Sequence, residues 1–190
     1  MTDFRRLLTT APARPLAGML ARAVAAQALF PAGLPASPGF LLTTGRQNRF
    51  NWKGTECLYW AEDQETALAE YRRQFLGLPH GARQPVTLYW AEVRLSKVLD
   101  LPDEVTRRAL GVTLKQLEAD WGAGLPVTTA QHLGESVAEQ SSICAIRYRS
   151  VAALKEGGAG CNVVVFKASL RPPDFVCILG PTKKPLQQWP

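Results

Sequence analysis

Apolar residues recur along the chain with two periods, and the switches between them outline the expected elements. Leu58 to Ala61, Val86 to Leu95, Ile143 to Tyr148, Asn162 to Phe166 and Phe175 to Leu179 are short apolar or alternating runs, the signature of strands. Ala67, Leu68, Tyr71 and Phe75 recur at helical spacing behind Asp63, an N-cap, and so predict an amphipathic helix. Thr113 and Gln116 form a capping box for a helix carrying Leu114, Leu117 and Trp121 on one face, and another helix follows Thr128 or Thr129. Leu16 to Val24 suits helix or strand equally, and residues 1–14 carry no pattern, as expected of a loosely held end. Pro31 to Gly39, then Pro79, Gly81 and Pro85, and finally Gly157 to Gly160 interrupt the pattern as loops.

Strands and helices alternate irregularly, with neither a G-x-G-x-x-G fingerprint nor a P-loop, which argues against a Rossmann domain or a P-loop NTPase. The expectation is one α+β domain over residues 1–190, built on a split, mostly antiparallel sheet with flanking helices.

Composition narrows the chemistry. A hydrophobic fraction of 46% and a charged fraction of 20% are those of an ordinary globular chain. The formal charge of +6 favours polyanionic partners, but the basic residues are spread along the chain, which suits a nucleotide or an acidic protein as well as nucleic acid. A basic nucleic-acid-binding module using Trp52, Trp60, Tyr89 and Trp90 is the alternative function. Cys57, Cys144, Cys161 and Cys177 are widely spaced and predict buried thiols in a reducing compartment; with only His80 and His132 to help, no metal site is expected. Arg22 interrupts the apolar stretch from Leu16 to Phe30, so no membrane span is expected and the protein reads as cytoplasmic. Ser136, in Gly134-Glu135-Ser136, lacks a nucleophile elbow.

The richest segment runs from Asn48 to Tyr71. It sets Arg49 in an Asn- and Gly-flanked turn, Tyr59 on a short strand and Glu70 at the edge of a helical apolar stripe. Ser150 stands at the end of a later strand. Taken singly, each has an ordinary structural reading: a surface arginine, a core tyrosine, a solvated glutamate and a turn serine.

Jointly, these residues resemble the RES domain family, named for an arginine, a glutamate and a serine, whose members are toxins of bacterial toxin–antitoxin pairs. Asn48-Arg49-Phe50-Asn51-Trp52-Lys53-Gly54 is similar to the family's G-R-[FW]-N-P-x-G, Leu58 to Ala61 to its l-Y-l-A, and Thr66 to Glu70 to its t-A-l-x-E. Ile146 to Phe166 resembles a strand ending in serine, a Gly-rich turn and N-x-v-x-F, and Ala21 to Val24 resembles an upstream y-R-x-v. Asn48, Trp52 and Arg149 depart from the usual Gly, Pro and Pro. Gly45-Arg46-Gln47-Asn48 offers a competing register in which Arg46 is the functional arginine.

The resemblance implies an ADP-ribosyltransferase-like fold and NAD as the substrate, cleaved between nicotinamide and ribose, with ADP-ribose passed to water, phosphate or a protein. It implies Glu70, Arg49 and Tyr59 as catalytic residues and Arg22, Arg49, Asn51, Tyr59 and Ser150 as NAD-binding residues. It also implies a cognate antitoxin with a helix-turn-helix DNA-binding part; direct nucleic-acid contact and membrane contact are not expected of the toxin itself. The residue types suit that chemistry: a carboxylate for an oxocarbenium-like sugar, arginines for pyrophosphate, an aromatic face for nicotinamide.

Overall fold

The computed structural model describes residues 2–25, 41–43, 46–75, 85–122, 124–139, 142–180 and 183–190. His80, Pro79, Gly81 and the Pro31 to Gly39 loop lie outside the described residues. In chain order the elements are α1 (Phe4–Leu8), β1 (Arg14–Ala25), β2 (Cys57–Ala61), α2 (Gln64–Arg73), β3 (Val86–Asp100), α3 (Glu104–Leu110), α4 (Leu114–Leu117), α5 (Thr129–Glu139), β4 (Ala145–Arg149), α6 (Val151–Lys155), β5 (Cys161–Phe166), β6 (Phe175–Leu179) and β7 (Pro185–Trp189).

The strands join in the order β1-β2-β5-β4-β3-β6-β7, and β1 also pairs with β3 from Arg14↔Val98 to Ala25↔Val86. That extra pairing makes the hydrogen-bonding path through β1, β2, β5, β4 and β3 return on itself. All described strand pairs are antiparallel except β3 with β4, which run parallel over Val98 to Asp100. The architecture is therefore mixed α+β, as expected, but the sheet is mixed and continuous instead of split. The cause is the length of β3, whose fifteen residues serve β1, β4 and β6 at once.

Strand parity divides the interior into two cores. Leu58, Trp60, Val93, Val163, Val165 and Val176 belong to one, and Phe50, Tyr59, Ile146, Tyr148, Val164 and Phe166 to the other, with residues of α1, α3, α4 and α5. Two-residue periodicity sends alternate side chains to opposite faces, so Tyr59 and Trp60 part company. Trp60 is only 2% exposed, which removes it as a stacking surface for bases.

The chain's beginning is held, not loose. Asp3 accepts a hydrogen bond from the Arg6 amide, and Phe4 and Leu8, one helical turn apart, are buried in the second core. Burying such side chains contributes about 1.5–3 kcal/mol each, enough to fix a five-residue helix that local propensity alone does not sustain. Leu16 to Val24 is strand, because β3 offers a full-length partner. The Thr113–Gln116 capping box is present, but it caps a single turn, and Trp121 lies beyond it. Neither α3 nor the terminal β7 was legible as a pattern. No helix among the described residues is long and apolar enough to cross a membrane.

Candidate active site

The arginine turn is pinned from two sides. Asn51, fully buried, donates through Nδ2 to the carbonyls of Arg46 at 2.8 Å and Trp52 at 2.9 Å, while its Oδ1 accepts the Tyr59 hydroxyl at 2.9 Å. The same phenol oxygen accepts the Phe50 amide at 3.0 Å. From the other side, Gln131 of α5 donates to the Asn48 carbonyl at 3.2 Å. Gly134 lies so close to the Phe50 backbone that a Cβ there would collide with the Phe50 carbonyl, so only glycine permits this approach.

These contacts turn Arg49 inward, leaving it 5% exposed, whereas Arg46 is exposed. Arg49 Nη1 donates to the carbonyls of Leu117 at 2.7 Å and Ala119 at 3.1 Å, at the end of α4. Its Nη2 is buried without a hydrogen-bond partner among the described residues. A buried guanidinium donor without a partner costs free energy, and an anionic ligand would relieve that cost.

The carboxylate is held by a second set of elements. Asp63 caps α2 by accepting from the Thr66 amide at 2.7 Å and the Thr66 hydroxyl at 2.8 Å. Ala69 of α2 packs on Ala152 and Ala153 of α6, and small side chains let the helices approach. Gly160 faces the Thr66 side chain where a Cβ would clash. Glu70 is thereby brought over the end of β5. Its Oε1 accepts from Ser150 Oγ at 2.7 Å and from Asn162 Nδ2 at 2.7 Å. Ser150, fully buried, also caps α6 by accepting from the Ala153 amide at 3.0 Å.

Tyr148 joins the two sets. It pairs with Asn162 across β4 and β5, and its ring lies 4.6 Å from that of Phe50. Burial pushes its phenol above the usual range, and the Glu70 charge adds to that rise. Burial likewise raises Tyr59 well above its ordinary value. Burial lowers the Arg49 guanidinium from its usual value, with Tyr148 opposing and Arg73 adding to the shift.

Glu70 and Ser150 are thus in direct contact, and Arg49, Asn51 and Tyr59 form one turn assembly. Arg22 is less closely joined: its Nη1 donates to the Leu41 carbonyl at 2.6 Å, and burial lowers it to about 10, with Tyr59 and Tyr148 as the charges opposing that shift. Tyr148 and Asn162 were not singled out in the sequence, although Tyr148 has the strand parity of Ser150 and Asn162 opens the N-x-v-x-F run. His132 is half-buried on α5, where its carbonyl accepts the Ser136 hydroxyl at 3.0 Å, an arrangement without a nucleophile. Among the described residues no cluster of His, Cys, Asp or Glu is placed to hold a metal. Cavities of about 300 and 290 Å³ open elsewhere, beside Arg14 and Arg147 and beside Thr66 and Gly160, and Glu70 and Arg49 line neither.

A chain of the M. tuberculosis MbcT–MbcA toxin-antitoxin complex has a similar fold, with a TM-score of 0.59 at 15% identity, over 89% of this chain and 85% of that one. No curated protein matches this sequence. The RES domain family matches residues 20–181, a stretch containing Arg22, Arg49, Tyr59, Glu70 and Ser150. The chain belongs to the RES domain family.

Proposed function

We propose that this protein is the toxin of a toxin–antitoxin pair and that it cleaves NAD at the bond between nicotinamide and ribose. The observation that carries the reading is the Glu70 carboxylate, held on one oxygen by Ser150 and Asn162, in a site that also contains a buried Arg49 donor with no partner among the described residues. Family membership supports a toxin acting on NAD, and the fold shared with a chain of a toxin–antitoxin complex supports an antitoxin partner.

The chemistry follows from the charges. Nicotinamide in NAD is already cationic, so when the bond from ribose C1′ to the ring nitrogen breaks, the electron pair neutralises the leaving group and no general acid is needed. Positive charge develops on the sugar, and a fixed carboxylate such as Glu70 stabilises it without reorganising. Arg49, and Arg22 on the neighbouring strand, supply guanidinium donors for the pyrophosphate. Tyr59 retains an aromatic face, but its hydroxyl is engaged with Phe50 and Asn51, so in this reading it shapes the turn and does not move protons. Water, phosphate or a protein side chain then attacks C1′ and releases a proton.

The cognate partner in this reading is an antitoxin with a helix-turn-helix DNA-binding part, and its inhibitory segment carries acidic groups that meet the arginines of the site. Incubating the purified protein with NAD and following free nicotinamide tests the activity. The expected result is nicotinamide release, with ADP-ribose, its 1-phosphate or an ADP-ribosylated protein naming the acceptor. No release, together with tight salt-sensitive binding to nucleic acid, would replace this reading by the binding-module alternative.

A further inference from the structure

We infer that Asn162 is a positioning residue for Glu70, acting as the buried amide that fixes the carboxylate against the sheet. The inference rests on the NAD-cleaving reading for its kinetic consequence but not for its structural one.

Asn162 is the second residue of β5, a central strand, where it pairs with Ala61 of β2 on one side and Tyr148 of β4 on the other. It is 4% exposed. A carboxylate can only accept, so the 2.7 Å contact to Glu70 Oε1 orients the amide with Nδ2 donating. One amide on a fully paired strand thus ties the carboxylate on α2 to the sheet. A polar side chain at the start of an otherwise apolar strand, Val163-Val164-Val165-Phe166, is costly to bury unless its hydrogen bonds are made.

The partner donor, Ser150, also caps α6, so it moves with that helix. Asn162 is anchored by the sheet instead. Two donors from independent elements converge on one oxygen, which restricts the Glu70 side chain to one conformer. A group that must meet charge at a particular sugar carbon loses rate steeply when it is free to rotate away.

The test reads the Glu70 side chain and turnover separately. In wild-type protein without NAD, NMR relaxation of the Glu70 side-chain methylenes should show an ordered side chain, and a disordered one would overturn the inference whatever happens to any variant. Asn162→Ala should loosen those methylenes, lower kcat for nicotinamide release at least tenfold and leave KM within about threefold. Asn162→Asp keeps the volume but replaces the donor by an acceptor, and should lose as much kcat as the alanine variant. Wild-type kcat in Asn162→Asp, or unchanged Glu70 order in Asn162→Ala, overturns the positioning role. If the wild-type protein releases no nicotinamide yet Glu70 order depends on Asn162, the NAD reading fails while the positioning role stands.

Discussion

The Ser150 hydroxyl stands 2.7 Å from Oε1 of Glu70 and 3.0 Å from the Ala153 amide, so one side chain ties the carboxylate of α2 to the first turn of α6. Removing it strips α6 of its cap and leaves one donor fewer on a carboxylate. Loss of an N-cap costs about 1 kcal/mol, and a hydrogen bond to a charged group contributes about 1.5–3 kcal/mol. Ser150→Ala should therefore lower Tm by several degrees, at about 2–4 °C per kcal/mol for a chain of this size. Calorimetry beside nicotinamide-release kinetics checks this. An unchanged Tm would show that α6 does not depend on this cap.

The two candidate arginines differ in burial, and that difference predicts different substitutions. Arg49 uses Nη1 on the carbonyls of Leu117 and Ala119 and keeps Nη2 inside, an arrangement that a single ammonium cannot reproduce. Arg49→Lys should raise KM for NAD at least tenfold, about 1.4 kcal/mol. Arg46→Lys, at an exposed position, should stay within about twofold. Steady-state kinetics of both variants decide, and the reverse order would move the functional arginine to Arg46.

The four cysteines are free and buried, and burial pushes each thiol up from its ordinary value, Cys144 to about 11. Native protein at pH 8 should therefore react slowly with iodoacetamide at all four, and denatured protein quickly. The same shifts set a sign for stability. Above about pH 9 the unfolded thiols lose protons that the folded ones keep, so the stabilisation present below that pH is lost as pH rises. Arg22, lowered to about 10, acts in the opposite direction only at higher pH, so the decline should be read between pH 9 and 10. Urea unfolding at pH 7.5, 9 and 10 measures it, and constant stability across that window would contradict the burial assigned to these thiols.

What was legible in the sequence was local. The Asp63 cap and the apolar stripe after it gave α2, and the compact apolar runs gave β2, β4, β5 and β6 with their ends nearly in place. The order of Arg49, Glu70 and Ser150 pointed to the family because motif spacing is a property of the chain itself. The closure of β1 on β3 was not legible, since it joins segments separated by the whole of β2 and α2. The inward turn of Arg49 depends on Tyr59 and on the bare backbone of Gly134, which are tertiary facts. Tyr148 and Asn162 read as ordinary strand residues until pairing placed them beside each other and next to Glu70.

If the clamped carboxylate of Glu70 supports cleavage of NAD, removing its charge must slow the release of nicotinamide. Nicotinamide release by wild-type protein and by Glu70→Gln, each at saturating NAD, measures it directly. The amide keeps the size of the side chain and an oxygen for Ser150 and Asn162 while removing the charge. Glu70→Gln should be folded, with a kcat about a hundredfold or more below wild type, the scale of losing one electrostatic stabiliser. Glu70→Gln turning over NAD at the wild-type rate would contradict it.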